Sequence, residues 1–282
     1  MNFIAQGPEM TEAHAAELSR MTGAPFEAIS ATAYRFSVRS RDVAVAQWCD
    51  ARRIDCAFLA EQRRFDRLKL IAMDMDSTLI TIECIDELGD LAGRKTEIAA
   101  LTAQAMRGEI DYPESLRKRV GLLSGLQESV LRRVYEERLK LTPGAEKLIY
   151  ACKSAGVKLL LVSGGFTYFT ERLKDRLGLD FTVSNVLEVT GGKLTGKLVG
   201  DIVDAEAKAE KFREIANALN AGKSQTVAIG DGANDLKMMA QAGVSVAFRA
   251  KPAVRAQASC ALDYSGLDGV LNLFERTPRP AA

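Results

Sequence analysis

Two acidic clusters, each at the end of a short apolar run, are the residues of this chain best suited to chemistry. Leu68-Lys69-Leu70-Ile71-Ala72-Met73 leads into Asp74-Met75-Asp76-Ser77-Thr78, and Thr226-Val227-Ala228-Ile229-Gly230 leads into Asp231-Gly232-Ala233-Asn234-Asp235. Short apolar segments followed by turn residues predict buried strands. Carboxylates at the mouth of such a strand are costly to bury unless a cation pairs with them. Mg²⁺ is the natural candidate, because it is hard and is commonly held by few carboxylates plus a substrate phosphate. A carboxylate beside such an ion can also attack phosphorus and carry the phosphoryl group. Taken alone, the pentapeptide beginning at Asp74 is equally compatible with capping a helix, since Asp, Ser and Thr are all good N-caps.

A third strand end breaks that tie. Val157-Lys158-Leu159-Leu160-Leu161-Val162 runs into Ser163-Gly164-Gly165, which offers a hydroxyl and free backbone N–H groups to a phosphate. Parallel strands of an open α/β sheet bring their carboxyl ends to one crevice. Asp74, Asp76, Asp231, Asp235, Ser163 and Gly164 are therefore expected to form one site, with Gly230 and Gly232 leaving room for a ligand.

The order and spacing of these motifs resemble the haloacid dehalogenase superfamily of phosphatases, and within it the phosphoserine phosphatases. The closer resemblance rests on the Asp74 motif with Glu83, on Ser115-Leu116-Arg117-Lys118-Arg119-Val120, and on Ser163-Gly164-Gly165-Phe166. Gly192-Lys193-Leu194-Thr195-Gly196 and the segment from Gly230 to Asp235 complete it, so that residues 68–265 are covered. The resemblance implies Mg²⁺-dependent hydrolysis of O-phospho-L-serine to L-serine and phosphate through an aspartyl-phosphate, the last step of serine biosynthesis. The alternative is a related phosphatase or phosphotransferase for another small phosphorylated metabolite, such as phosphohomoserine.

It also implies roles. Asp74 is the expected nucleophile and Asp76 the proton donor and later base. Asp74, Asp231 and the backbone carbonyl of Asp76 would hold the metal, with Asp235 orienting ligands from behind. Ser163 and Gly164 would donate to the phosphoryl oxygens, and Asn234 would contact the phosphate or simply shape its turn. Lys208 would balance the aspartates, with Lys211 its competitor one turn away. Glu83, Tyr112 and Arg119 would face the amino-acid part of the substrate, Glu83 its ammonium and Arg119 its carboxylate. By residue type alone, Arg117-Lys118-Arg119 would pass for surface charge.

These residues need a frame. Segments 68–81 and 142–276 are expected to form a doubly wound, mostly parallel α/β core. Within it fall a helix at 145–154, a hairpin of 183–189 with 193–199, and strands at 244–248 and near 260–264. Residues 82–141 read as an all-helical cap inserted after the first core strand, placed to close over the site. Met106 would line its pocket or fill its core. Residues 1–65 read as a small N-terminal α/β domain: strand 3–5, helix 11–21, strand 28–38, helix 41–52 and strand 55–59. That unit resembles ACT-type regulatory domains short of one strand, or else is a packing module through which the chain forms a homodimer.

Bulk properties suit a small-molecule enzyme. With 38 basic and 37 acidic residues the net charge is +1, which gives no electrostatic case for nucleic acid or anionic membranes. No apolar run is long enough to span a bilayer, and no secretory signal pattern opens the chain. Cys49, Cys56, Cys84, Cys152 and Cys260 lack metal-site spacing and fit reduced thiols in the cytoplasm. The one histidine, His14, has no evident partner, so histidine-based catalysis is not expected.

Overall fold

The apolar runs form the centre of a seven-stranded sheet. The structure, a computed structural model, describes residues 1–60 and 63–275; the end of the segment expected to close the core, residue 276, lies outside them.

The chain begins with β1 (Asn2–Gln6), α1 (Glu12–Thr22), β2 (Phe26–Ser30), β3 (Ala33–Ser37), α2 (Val43–Asp50) and β4 (Asp55–Leu59). Thr11 and Asp42 cap the two helices through their side-chain oxygens, and Gly23 ends α1 in the left-handed conformation. The strands form an antiparallel sheet in the order β2-β3-β1-β4, a split βαβ arrangement. This corrects the single strand expected over 28–38. That stretch is a hairpin, and the unit has its full four strands. One face packs on the helices around Phe3, Phe36 and Val45. The other contributes Ile4, Ala57 and Leu59 to the main core. The buried Asp55 carboxylate accepts the N–H groups of Asp263 and Ser265 at 2.7 and 2.8 Å, fastening the unit to the end of the chain.

The main sheet has the order β11-β10-β9-β5-β6-β7-β8, where β5 (Leu70–Met73) is central. After β5 come the cap helices α3 (Cys84–Leu91), α4 (Lys95–Met106), α5 (Tyr112–Gly121) and α6 (Ser129–Arg133). The chain re-enters the core through α7 (Ala145–Ser154), β6 (Lys158–Phe166), α8 (Thr167–Leu177), β7 (Phe181–Thr190) and β8 (Lys193–Val199). It finishes with α9 (Ala205–Ala218), β9 (Thr226–Gly230), α10 (Leu236–Gln241), β10 (Val244–Phe248), α11 (Pro252–Arg255) and β11 (Cys260–Leu262).

Among the described strands of this main sheet, only the β7–β8 pair is antiparallel. Gly191 and Gly192, both left-handed, make its two-residue turn. Strand β5 pairs with β6 on one side and β9 on the other, so the chain winds outward in both directions from it. A sheet of this kind opens a crevice at the carboxyl ends of its central strands. The strands are apolar on both faces because helices cover both. Leu70, Ala72, Leu160 and Val162 pack on one side, and Ile71, Met73, Leu159 and Leu161 on the other. No helix among the described residues is long and apolar enough to cross a membrane.

Candidate active site

Strand pairing delivers the acidic clusters to one place. The Asp74 N–H donates to the Ile229 carbonyl at 3.0 Å, continuing the β5–β9 ladder past the last strand residue. Asp74 thus stands beside the turn that carries Asp231. One carboxylate oxygen from each of Asp74, Asp231 and Asp235 lies within 4.8 Å of the others. The Asp74 motif does not cap a helix. Asp76 is extended and Ser77 takes a left-handed conformation at φ 58°, a strained choice for a residue with a Cβ. That kink turns the Asp76 side chain back into the crevice, where Oδ1 accepts the Cys84 N–H at 2.8 Å. It also presents the Ser77 hydroxyl to Glu83 at 2.7 Å.

Lys208 is wholly buried and spans two of the aspartates. Its Nζ donates to Asp74 Oδ1 at 2.7 Å and to Asp235 Oδ1 at 2.8 Å. Asp204, which caps α9 by accepting the N–H groups of Glu206 and Ala207, fixes the helix from which it reaches. Lys211, the competing lysine, is exposed and paired with Glu214. Asp235 also accepts the Gly232 N–H at 3.1 Å. A Cβ on Gly230 would lie 2.5 Å from the Asp235 side chain, so glycine is needed there for the aspartate to fold inward.

A cavity of about 450 Å³ opens above these residues, between the strand ends and the cap. The core supplies Asp74, Asp76, Gly164, Asp231 and Asn234 to its wall, and the cap supplies Tyr112 and Arg119 from α5 and Glu83 from just before α3. The expected substrate residues therefore face the expected phosphate residues across one space. Met106 also lines it and is two-thirds exposed, so it does not serve the cap core. Ser163 is placed differently. It is fully buried behind the wall, its hydroxyl donating to Asp76 Oδ2 at 3.4 Å and accepting the Gly165 N–H at 2.8 Å.

Strand β6 runs through Ser163, Gly164 and Gly165 instead of stopping before them. Two participants were not foreseen. Lys251, between β10 and α11, lines the cavity. Asn185 on β7 grips Gly164 from behind. Phe166, the last residue of the Ser163 motif, also lines the cavity. The place of Lys251 after a parallel strand was its available signal. Asn185 had only its polarity within a strand.

The electrostatics ask for a cation. Four carboxylates line the cavity (Asp74, Asp76, Glu83, Asp231) against two cations (Arg119, Lys251). Burial, followed by the charge of Glu83, pushes Asp76 up to about 7. Burial and the neighbouring Asp235 push Asp231 up to about 6. Burial likewise raises Asp74, against the pull of Lys208. A cluster of oxygen donors with this excess of negative charge fits a hard divalent ion.

The family profile for haloacid dehalogenase-like hydrolases matches residues 71–240, which supply all of the cavity lining named above except Lys251. The chain belongs to that family. Among its relatives is a phosphoserine phosphatase of Polaromonas sp., 58% identical over 212 residues, which are 73% of this chain and 90% of the relative. Similarity to a probable phosphoserine phosphatase from Vibrio cholerae extends over 96% of this chain and 85% of that one, at 38% identity and a TM-score of 0.85. A substrate-bound phosphoserine phosphatase complex is 37% identical with a TM-score of 0.69, over 76% of this haloacid dehalogenase-like chain and all of that one.

Proposed function

We propose that the chain is a Mg²⁺-dependent phosphoserine phosphatase. The observation that carries this reading is that Glu83 and Arg119 of the cap share one cavity with Asp74, Asp231 and Gly164 of the core. A carboxylate and a guanidinium match the ammonium and carboxylate of an amino acid, and Arg offers a planar fork for the latter. Relatives named phosphoserine phosphatase, at high identity over nearly their whole length, support it.

In this reading Asp74 attacks the phosphorus of O-phospho-L-serine and takes the phosphoryl group. Asp76, kept protonated near neutrality by burial, gives its proton to the departing serine oxygen. As a carboxylate it then accepts a proton from the water that hydrolyses the aspartyl-phosphate. Lys208 holds Asp74 in line and sets a positive charge between the two buried aspartates. Asp74, Asp231 and the backbone carbonyl of Asp76 would hold Mg²⁺, supported by Asp235. When bound, the ion supplies positive charge that offsets the phosphoryl oxygens. Gly164 and Asn234 line the same cavity, and the Gly164 N–H would donate to the phosphoryl oxygens.

We further divide the chain into the N-terminal unit 1–65, the catalytic core 68–81 plus 142–276, and the cap 82–141. Dimerisation through the N-terminal unit and a cytoplasmic location belong to the same proposal.

The test is release of free phosphate from O-phospho-L-serine, with Mg²⁺ and with excess chelator. Phosphohomoserine, a sugar phosphate and p-nitrophenyl phosphate complete the panel. Metal-dependent turnover that favours phosphoserine is expected. A marked preference for another phosphate monoester would transfer the chain to the alternative substrate.

A further inference from the structure

The peptide unit between Gly164 and Gly165 is held from both sides by side chains that have no contact of their own with Asp74 or Asp231 among the hydrogen bonds described. Its carbonyl oxygen accepts the Asn185 Nδ2–H at 2.8 Å and the Tyr112 hydroxyl at 3.3 Å. Its N–H, pointing the opposite way, donates to Ser163 Oγ at 2.8 Å. The Ser163 hydroxyl in turn donates to Asp76 Oδ2. The orientation of the Asn185 amide is unambiguous, because its Oδ1 accepts the backbone N–H of Val203 at 2.8 Å. Only the amide nitrogen is left to face Gly164.

A peptide unit between two glycines rotates at little steric cost, since neither neighbour has a Cβ to oppose it. Both glycines are required. A Cβ on Gly165 would lie 2.7 Å from Asp76 Oδ2 and 3.0 Å from Ser163 Oγ, and one on Gly164 would overlap the Tyr112 hydroxyl. The site therefore needs a peptide that its own sequence leaves free to turn. If it turned, the Gly165 N–H would leave Ser163, and the hydroxyl that bonds Asp76 would lose its anchor.

We propose that Asn185 and Tyr112 are positioning residues for phosphoryl transfer. They clamp the Gly164 carbonyl so that Gly165 and Ser163 hold Asp76 in its working place. Asn185 is the permanent half of the clamp, buried to 1% exposure on β7. Tyr112 belongs to the cap, so its half is made only while the cap lies over the core. Closure of the cap and alignment of the proton donor are thereby one event.

The inference rests on the phosphatase reading of this site, and its test keeps the two separable. Turnover of phosphoserine by the unaltered enzyme tests the reading. Ratios of variant to unaltered enzyme, measured with both phosphoserine and p-nitrophenyl phosphate, test the clamp. Tyr112→Phe removes one donor and keeps the ring. Asn185→Asp removes the other donor and keeps the acceptor for Val203. Each is expected to lower kcat about tenfold, the worth of one lost hydrogen bond, on both substrates, with KM for phosphoserine changed less than about threefold. Acting on one carbonyl, the two substitutions should be non-additive, the double variant losing clearly less than the product of the single losses. Thermal melts of all three variants guard against simple destabilisation. Unchanged kcat in Tyr112→Phe, or strictly multiplicative losses in folded variants, would overturn the clamp.

Discussion

Lys208 and Asp74 stand 134 residues apart in the chain and 2.7 Å apart in the structure, with the lysine inaccessible to solvent. No surface ion pair resembles this one energetically. Its partners have given up water, so removing either strands a buried charge. Lys208→Met would leave Asp74 and Asp235 facing each other without compensation. In chelator the variant should lose about 3 kcal/mol of stability or more, and phosphoserine turnover should fall at least about a hundredfold. Divalent cation should restore part of the thermal midpoint, because it replaces the missing positive charge. A variant as stable as the parent in chelator would show that Lys208 is not compensating the aspartates.

Metal-free protein should respond to pH in the sense opposite to an ordinary acid-sensitive protein. Asp76 and Asp231 titrate at about 7 and about 6 when folded, against about 4 in an unfolded chain. Between those values the folded state binds more protons than the unfolded state, so this contribution to stability falls as pH rises through about 4 to 7. Asp76→Asn removes the larger share of the effect. Melts in chelator at about pH 5 and pH 7.5 should therefore differ by a smaller or reversed amount in the variant. Mg²⁺ should flatten the slope in the parent, since it favours the ionised carboxylates. An identical pH slope in parent and variant would refute the raised pKa of Asp76.

Substrate choice is assigned to the cap and is separable from the chemistry below it. Arg119 lines the cavity from α5, and among the described residues its Nε donates within its own helix, to the Ser115 carbonyl at 3.4 Å. Its guanidinium is thus available to a carboxylate. Arg119→Ala should lower kcat/KM for phosphoserine about a hundredfold, in line with loss of a desolvated charge pair. Turnover of p-nitrophenyl phosphate, which has no carboxylate, should change little. Equal losses on both substrates would remove Arg119 from amino-acid recognition.

What the sequence could and could not convey follows from the range of the interactions. Strands β9 and β10 were legible to the residue because unbroken apolar runs between turn residues have few alternatives. The β2–β3 hairpin was not, since Ser30-Ala31-Thr32-Ala33 turns without any glycine, proline or asparagine to announce it. The end of β6 was misjudged for the converse reason. Ser163-Gly164-Gly165 has turn composition, but hydrogen bonds from Asn185 and Tyr112 hold it extended. Local composition spoke for the aspartates, whose motifs are short, whereas Lys208 in its charged helix was singled out only by the family resemblance. Asn185 and Lys251 acquire meaning only from the strands beside them, and periodicity carries no trace of that.

Gly165 separates the demands of the site from those of the fold. Its backbone is extended, so alanine is conformationally acceptable there, and adding a methyl group to a strand should not by itself unfold the protein. The difficulty is local: the new Cβ would lie 2.7 Å from Asp76 Oδ2, 2.7 Å from Met75 Cε and 3.0 Å from Ser163 Oγ. The methionine end can move aside, being flexible. The carboxylate and the hydroxyl can yield only by leaving the positions that the reaction uses. Gly165→Ala should therefore keep its thermal midpoint within a few degrees while kcat falls about a hundredfold, as a displacement near 1 Å can cost that much. A variant with near-normal kcat would mean that Asp76 works from a position well away from the one seen beside Gly165.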